Sequence, residues 1–331
     1  MRRYLINALA LCLGGLAIYL ATATIVVTPV VAQSPEARRA IIRDVKSWAV
    51  QYRRINVFEV AASPYDLVVI DYRPDVLFGT EFPFSAADVK LMQRKPDGGR
   101  RLVIAYLSVG EAEDYRGYWQ RTWTTDPASR PKWIGTENPR WRGNFPVRFW
   151  VPEWQSILFG APTAYLERII ASGFDGVYLD RVDVYQEFAA EHPSAERDMV
   201  ALLSALSTKA HRLNPKFLMV LQNAEELTSK PVVRRAIDAF AKEDLFYGVE
   251  HDGQRNSVSS VATSAKPIRE LKRAGTKVLL LEYPRDAKAA ADIRARARLE
   301  GFTLLLADRE LVGLSPVFEA VQERATATPA N

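Results

Sequence analysis

The chain has 331 residues, of which 48% are hydrophobic and 25% charged, a composition typical of a globular protein. Its net charge at pH 7 is +5, and residues 1–32 contribute two arginines and no acid, which leaves +3 for the remainder. The positive charge is scattered and forms no basic stripe with interleaved aromatic residues, which excludes nucleic acid as the expected partner. The single cysteine, Cys12, lies in the N-terminal segment, so disulfides, a thiol nucleophile and a cysteine-based metal site are excluded elsewhere.

The first 32 residues form a distinct segment. Two arginines precede an uncharged, largely apolar run from Tyr4 to Ala32, and small residues stand before Gln33, as at a signal-peptide cleavage site. This pattern predicts an exported protein, secreted or periplasmic, whose residues 1–32 are a signal peptide. The run is also long enough to span a bilayer if it is not cleaved, so the alternative is a membrane anchor formed by residues 4–31.

From Ser47 onward, short apolar runs alternate with longer amphipathic segments. The apolar runs predict eight strands: Trp48–Tyr52, Leu67–Tyr72, Leu102–Ser108, Gly176–Asp180, Phe217–Gln222, Ile237–Ala241, Lys277–Tyr283 and Phe302–Ala307. Helical patterns lie between them, at Ala86–Arg94, Ala161–Ala171, Ala195–Arg212, Val232–Ala236, Val261–Ala274 and Ala287–Glu300.

Alternating strands and helices imply a parallel sheet, and eight such units over about 270 residues match an α/β fold of the (β/α)8 TIM-barrel type. An open doubly wound sheet is less well supported, because no G-x-G-x-x-G sequence follows the first strand. We therefore expect one barrel domain over residues 46–315, preceded by a linker at 33–45 and followed by a C-terminal tail at 316–331.

One segment after the third predicted strand departs from this alternation of strands and helices. Glu111 to Glu153 is too long for an ordinary βα loop, which usually has about two to six residues. Six of the seven tryptophans lie in or beside it: Trp119, Trp123, Trp133, Trp141, Trp150 and Trp154. Indole rings can stack on the apolar faces of sugars, and long ordered loops often carry function. We expect these residues to form a small core of the loop, with one or two left exposed to ligand.

The stretch Gly173–Tyr185, GFDGVYLDRVDVY, predicts a buried strand that ends on Asp180, with Asp183 three residues later. A carboxylate is costly in a core, whereas strand ends build the active site of an α/β barrel. The alternative is that Asp180 caps the next helix. Polar groups also stand at the ends of the other predicted strands: Asp71, Glu111, Glu113, Gln222, Asn223, Glu243, Asp244 and Glu282.

A barrel would bring these strand ends together around one mouth. Carboxylates from different strands in one cleft are what glycoside hydrolysis requires, since one protonates the leaving oxygen and another attacks the anomeric carbon or activates water. Repulsion between them also raises the pKa of one, which keeps it protonated as an acid near neutral pH.

Other chemistries match the sequence less well. The three histidines, His192, His211 and His251, form no HExxH motif and no close pair, so a zinc hydrolase is not indicated. The sequence YLSVG around Ser108 resembles a nucleophile elbow but lacks its first glycine and an obvious histidine partner. No EF-hand-like spacing and no phosphate-cradling loop is present, so we expect neither a metal nor a cofactor.

Five ordered motifs resemble glycoside hydrolase family 114, the endo-α-1,4-polygalactosaminidase-like group of TIM barrels. They are YLSVGEAEDYRGYW (Tyr106–Trp119), GNFPVRFWVPEW (Gly143–Trp154), GFDGVYLDRVDVY (Gly173–Tyr185), LQNAEEL (Leu221–Leu227) and KEDLFY (Lys242–Tyr247). The resemblance extends over residues 46–312 and implies a barrel that hydrolyses α-1,4-linked galactosamine or N-acetylgalactosamine polymers outside the cell.

The resemblance also implies roles for particular residues. Asp180 would be the nucleophile and Glu243 the general acid/base of a retaining reaction that needs no cofactor. The residues expected to bind substrate around this pair are Asp71, Tyr106, Glu111, Trp150, Asp183, Asn223, Glu282 and Tyr283.

The predicted mouth is acid-rich although the chain is basic overall. Such a cleft would attract a cationic polymer, such as partly deacetylated polygalactosamine, and would repel polyuronates. We therefore expect an amino-sugar polysaccharide as the partner. Two alternatives stay open: a non-hydrolytic carbohydrate-binding barrel that uses the tryptophans, and a glycosidase that acts on another exopolysaccharide.

Overall fold

A computed structural model describes residues 33–74 and 82–314. Its strands are β1 (Trp48–Gln51), β2 (Leu67–Ile70), β3 (Leu102–Ser108), β4 (Glu111–Glu113), β5 (Asn144–Pro146), β6 (Gly176–Asp180), β7 (Leu218–Gln222), β8 (Ala239–Glu243), β9 (Lys277–Glu282) and β10 (Thr303–Leu306). Its α-helices are α1 (Pro35–Ile42), α2 (Val57–Ala62), α3 (Ala86–Met92), α4 (Arg121–Thr125), α5 (Pro152–Leu158), α6 (Tyr165–Ala171), α7 (Ala195–Leu213), α8 (Pro231–Ala236), α9 (Val258–Arg273) and α10 (Ala287–Glu300). Short 3-10 helices cover Pro127–Ser129, Val182–Gln186 and Glu225–Ser229.

Eight parallel strands form one sheet in the order β1-β2-β3-β6-β7-β8-β9-β10. The two outer strands approach each other: the indole of Trp48 donates to the carbonyl of Thr303 at 3.0 Å, and the amide of Tyr52 donates to the carbonyl of Leu311 at 2.9 Å. The sheet is therefore a nearly closed barrel with helices between its strands. The predicted (β/α)8 TIM-barrel fold is confirmed.

The strands are buried on both faces, which explains why they read as continuous apolar runs. Alternate residues point to opposite sides of a strand. One set fills the barrel interior, and it includes Trp48, Val50, Leu67, Val69, Ile104, Tyr106, Tyr178, Val220, Leu279 and Leu281. The other set packs against the helices, and it includes Val68, Ile70, Val103, Ala105, Val177, Leu179, Leu221, Phe240 and Leu280.

Local signals in the sequence fix the helix ends. Helix α10 begins after Asp286, whose carboxylate accepts the amide of Ala289 at 2.7 Å, and ends at Gly301 with φ of 63°. A residue without a side chain adopts this left-handed conformation at little cost, which is why helices often end at glycine. The predicted range Ala287–Glu300 agrees with the structure.

The N-terminal part of the described chain differs from the expectation. Residues 33–45 were expected to form a linker, but they contain α1, which begins at Pro35 after Ser34 as its N-cap. The helix packs on the barrel through Arg38, which is 3% exposed. The guanidinium of Arg38 donates to Asp238 at 2.8 Å, 200 residues away in sequence. No local pattern encodes this ion pair, but Ser34 followed by Pro35 and Glu36 is a helix-start signal that the sequence does contain.

The segments at the two ends of the chain, 1–32 and 316–331, lie outside the described residues. The expectations of an export signal and of a C-terminal tail concern those segments. Within 33–74 and 82–314, no helix is long and apolar enough to cross a membrane.

The tryptophan segment, residues 111–153, leaves the barrel after β3 and returns before β6. Strands β4 and β5 form an antiparallel pair in it. Trp119, Trp123, Trp133 and Trp154 contact one another in sequence, with centroid distances of 5.3, 5.9 and 5.5 Å between successive rings. These indoles form an internal core, whereas Trp141 is 47% exposed.

Candidate active site

The inward-facing residues at the carboxyl ends of the strands form the mouth of the barrel. The alternation that places Tyr106 and Tyr178 inside continues to the last residue of a strand or to the residue just after it. The side chains that surround the mouth are Tyr52, Asp71, Tyr106, Asp180, Gln222, Glu243 and Tyr283. The structure thus brings together, from seven strands, the two predicted catalytic carboxylates and three of the predicted substrate-binding residues.

Asp180 is the last residue of β6 and lies opposite Ser108 of β3 in the parallel register. Its Oδ2 accepts a hydrogen bond of 2.8 Å from the hydroxyl of Tyr106, and its Oδ1 accepts the amide of Arg181 at 2.8 Å. Arg181 has a φ of 58°, a left-handed conformation that turns the chain sharply behind the carboxylate. Asp180 is therefore held from both sides while its side chain stays partly exposed.

Glu243 is the last residue of β8, two strands further round the barrel. Its Oε1 accepts a hydrogen bond from the hydroxyl of Tyr283, and its Oε2 accepts one of 2.9 Å from the side-chain amide of Gln222. Its backbone amide donates to Oδ1 of Asn223 at 3.1 Å. Asp244, which follows it, also has a left-handed φ, of 56°. The two carboxylates thus have the same local arrangement: a tyrosine donor and a sharp turn behind them.

Burial raises the pKa of both groups. The pKa of Asp180 rises to about 6, since burial outweighs the hydrogen bond from Tyr106 and the charge of Arg181. The pKa of Glu243 rises to about 7, because burial and the negative charges of Asp244 and Asp180 together outweigh the hydrogen bond from Tyr283. The carboxylates are close enough for one to influence the ionisation of the other, as a catalytic pair requires.

Asp71, at the end of β2, belongs to a buried ionic network. Arg116 donates to Oδ1 of Asp71 at 2.9 Å and also to Glu113, whose second oxygen accepts the hydroxyl of Tyr115 at 2.6 Å. Asp71, Glu113 and Arg116 are all less than a tenth exposed. Burial raises the pKa of Asp71 despite the neighbouring Arg116. Arg73, also buried, adds a second guanidinium whose charge acts on Asp71, so the two acids of this network face two arginines.

Glu111 and Asp183 lie around Arg181. Glu111 accepts from Nδ2 of Asn138 at 2.8 Å, and its Oε1 is 3.0 Å from Nε of Arg181. Burial raises its pKa to about 7. Asp183 lies 3.5 Å from the same guanidinium and is 39% exposed. Both residues thus pair with the side chain of the residue that follows Asp180.

Three other residues predicted to bind substrate have structural contacts of their own. Asn223, with φ of 53°, holds the backbone of Glu243. Trp150 has one face covered by the ring of His192, at 4.2 Å between centroids. Glu282 is fully buried and accepts the amides of Phe246 at 2.8 Å and Tyr247 at 3.3 Å. The carboxyl group of Glu282 therefore anchors the loop after β8, a placement that favours a structural role over the predicted contact with substrate.

Three residues of the site were not predicted from the sequence. Tyr52 contacts Tyr106 with 4.5 Å between ring centroids, and strand alternation from Trp48 could have placed it inside. Arg116 and Arg309 bind acids 45 and 65 residues away. Nothing in their local sequence indicates these pairings.

The mouth of this barrel carries two carboxyl groups on different strands, and their pKa values are raised to different extents. Glycoside hydrolysis uses such a pair, one group as proton donor and the other as nucleophile or base. The comparisons with known proteins agree. The model of the glycoside-hydrolase family GH114 matches residues 31–326, and the chain belongs to this family. It is therefore a glycoside hydrolase.

Relatives and structural neighbours show how far the similarity extends. An uncharacterized protein of Deinococcus radiodurans is 34% identical over 285 residues, which cover 85% of this chain and 86% of that protein. The uncharacterized protein MJ1477 of Methanocaldococcus jannaschii is 34% identical over 248 residues, 72% of this chain and 66% of that protein. The glycoside hydrolase domain of PelA from Pseudomonas aeruginosa has a similar fold, with a TM-score of 0.60, 20% identity and coverage of 82% of this chain and 97% of that domain.

Proposed function

We propose that this glycoside hydrolase cleaves α-1,4-linked galactosamine or N-acetylgalactosamine polysaccharides by a retaining mechanism, with Asp180 as nucleophile and Glu243 as general acid/base. One observation carries the proposal: the two carboxylates at the mouth are each held by a tyrosine hydroxyl, on β6 and β8. The raised pKa of Glu243, about 7, suits a group that must hold a proton near neutral pH. The lower pKa of Asp180, about 6, suits a group that must be ionised in order to attack.

The reaction proceeds in two displacements. In the first, Glu243 donates its proton to the glycosidic oxygen while a carboxylate oxygen of Asp180 bonds to the anomeric carbon. The leaving part of the polymer departs with a free hydroxyl, and the sugar remains as an ester of Asp180. In the second, Glu243, now ionised, takes a proton from water, and the hydroxide formed attacks the anomeric carbon and releases Asp180.

The charge around the mouth supports an amino-sugar polymer. Asp71, Glu113, Glu111 and Asp183 lie near the two proposed catalytic carboxylates. Arg73, Arg116 and Arg181 offset only part of the charge of these six acids. A free 2-amino group of galactosamine is cationic at neutral pH, so an acidic mouth raises its local concentration. The chain as a whole is basic, so this attraction is local to the mouth.

The cell location belongs to the same proposal. A polymer of this kind lies outside the cytoplasm, and residues 1–32 carry the pattern of an export signal. Expression of the full chain followed by N-terminal sequencing tests this: a mature chain that begins near Gln33 supports secretion or a periplasmic location. An intact N-terminus in the membrane fraction supports the anchored alternative.

The substrate is tested with purified protein and a panel of polysaccharides, with products identified by mass spectrometry. The panel holds polygalactosamine of graded N-acetylation, an α-glucan and a polyuronate. Cleavage confined to galactosamine polymers, faster at low salt when free amines are present, is expected. Cleavage of the α-glucan alone would contradict the proposed substrate, and binding without products would indicate a non-hydrolytic barrel.

A further inference from the structure

Arg309 lies in the loop after β10 and reaches the neighbourhood of Glu243 from two strands away. Its Nη1 and Nη2 donate to the two carboxylate oxygens of Asp244, each at 3.0 Å. Its Nε donates to Asp252, in the loop after β8, at 2.6 Å. Every nitrogen of the guanidinium is thus committed to an acid of the β8 loop, in the bidentate geometry that fixes an arginine firmly.

The same guanidinium lies over the ring of the residue that donates to the proposed catalytic carboxylate. Its central carbon is 4.4 Å from the centroid of the Tyr283 ring, and the hydroxyl of Tyr283 donates to Glu243. Arg309 therefore contacts both the residue that follows Glu243 and the residue that donates to its side chain. The side chain of Arg309 therefore helps to fix the carboxyl group of Glu243 relative to the backbone of Glu243.

The loop fits closely around this contact. A Cβ at Gly248, where φ is 104°, would lie 2.5 Å from Oδ1 of Asp244 and 2.7 Å from Nη2 of Arg309. Contacts that short do not occur, so a side chain here would displace Asp244 or Arg309, and the positive φ also favours glycine. The contact is thus built into the loop and is not a chance meeting of surface charges.

We propose that Arg309 is a positioning residue for the general acid Glu243, acting through Asp244 and through the ring of Tyr283. The inference rests on the proposed function, because it gives Arg309 importance only if Glu243 is catalytic. It extends that proposal to the loop after β10, which contributes no residue to the predicted pair.

The polar and charged groups around Glu243 determine the expected effect on pH dependence. They are Asp244 in its own loop, Gln222 and Asn223 after β7, Tyr178 and Asp180 on β6, Tyr283 after β9, Tyr52 after β1 and Arg309. The charge of Arg309 and the hydroxyl of Tyr283 lower the pKa of Glu243, and Asp244 raises it. Removal of Arg309 deletes the cation, frees the charge of Asp244 and loosens Tyr283, so all three effects raise that pKa.

The test compares Arg309→Ala, Arg309→Lys and the control Arg285→Ala on polygalactosamine, with kcat and KM measured across pH. Arg285 also binds Asp252, but its contact is with Asp252 alone among these groups and it is largely exposed. We expect Arg309→Ala to lower kcat about 10- to 100-fold with KM changed little, since small misplacement of a catalytic group has costs of this size. Its alkaline limb should move up by about one pH unit.

The lysine variant separates position from charge. Arg309→Lys restores a cation but not the bidentate, stacked geometry, so its alkaline limb should return towards the wild-type pH while kcat stays reduced. If circular dichroism shows that Arg309→Ala is unfolded, the lysine variant alone decides: full wild-type kcat would overturn the inference.

The outcomes also distinguish this inference from the function on which it rests. If Glu243→Gln is inactive but Arg309→Ala matches Arg285→Ala in kcat and in its alkaline limb, Arg309 does not position the acid. That result refutes the role of Arg309 and leaves the proposed role of Glu243 in place. If Glu243→Gln retains wild-type hydrolysis, the proposed function and the inference fall together.

Discussion

The hydroxyl of Tyr106 on β3 donates a hydrogen bond of 2.8 Å to Oδ2 of Asp180 on β6. The two strands are neighbours in the barrel, and Tyr106 lies opposite Tyr178, one inward position below Asp180. A donor from the adjacent strand therefore reaches up to the carboxylate and stabilises its ionised form. The hydroxyl of Tyr283 likewise donates to Glu243, so each proposed catalytic carboxylate accepts a hydrogen bond from its own tyrosine.

The variant Tyr106→Phe tests this relationship. Loss of a hydrogen bond to a charged group removes about 1.5–3 kcal/mol, so kcat/KM should fall about 10- to 100-fold. Because Tyr106 lowers the pKa of Asp180, its removal should move the acid limb of the pH profile to higher pH. Tyr65→Phe is the control, since Tyr65 precedes β2 at the other end of the barrel and donates to the carbonyl of Leu314. Equal profiles for the two variants would contradict the role of Tyr106.

The pH optimum of the proposed mechanism follows from its two carboxyl groups. That mechanism requires Asp180 ionised and Glu243 protonated, and their pKa values are raised by burial to about 6 and about 7. Activity should therefore be greatest between these values and fall on both sides. Because the groups are coupled, the two limbs of a kcat/KM profile report the pair. Activity that stays constant well above pH 8 would show that no protonated Glu243 is needed.

Glu282 should make the stability of the fold depend on pH. Burial raises its pKa from 4.5 to about 8, so the folded protein keeps a proton that the unfolded chain releases. Stability is thus lost as pH rises through this window. Glu282→Gln cannot ionise, so the difference between its melting temperature and that of the wild type should increase in favour of the variant from about pH 5 to about pH 9. The exposed Glu59→Gln is the control, and a difference independent of pH would show that Glu282 is ionised in the folded protein.

The buried pair of Arg38 and Asp238 should hold α1 on the barrel. Their side chains are 4% and 0% exposed, and Arg38→Ala leaves the charge of Asp238 without this partner. Breaking a buried pair from one side costs about 3–5 kcal/mol, which urea unfolding would measure. Arg43→Ala, at an exposed position just after α1, should change stability little. A small effect for both would mean that α1 contributes little to the fold.

The strands of the barrel could be predicted because they are buried on both faces and read as apolar runs. The acids at their ends were equally visible, since Asp180 and Glu243 interrupt sequences that packing alone would leave apolar. Strand β8 was placed two residues too early, at Ile237–Ala241, and in the structure Glu243 is its last residue. Boundaries shift in this way because an apolar run marks burial and not hydrogen bonding.

The direction and partners of the side chains were harder to predict. Leu279 and Leu281 point into the barrel, so alternation turns Glu282 outwards, a signal that was present in the sequence. The pairings of Arg38 and Arg309 join residues 200 and 65 positions apart and depend on the closed barrel. Such contacts cannot be predicted from the residues next to each arginine in the sequence.

The most direct measurement is hydrolysis of polygalactosamine by Asp180→Asn and Glu243→Gln, with circular dichroism to show that both are folded. Each substitution keeps the shape of the side chain and removes its ability to attack or to transfer a proton. We expect no detectable cleavage by either variant and unchanged melting of the fold. Cleavage at the wild-type rate by either folded variant would contradict the assignment of this pair as the catalytic carboxylates.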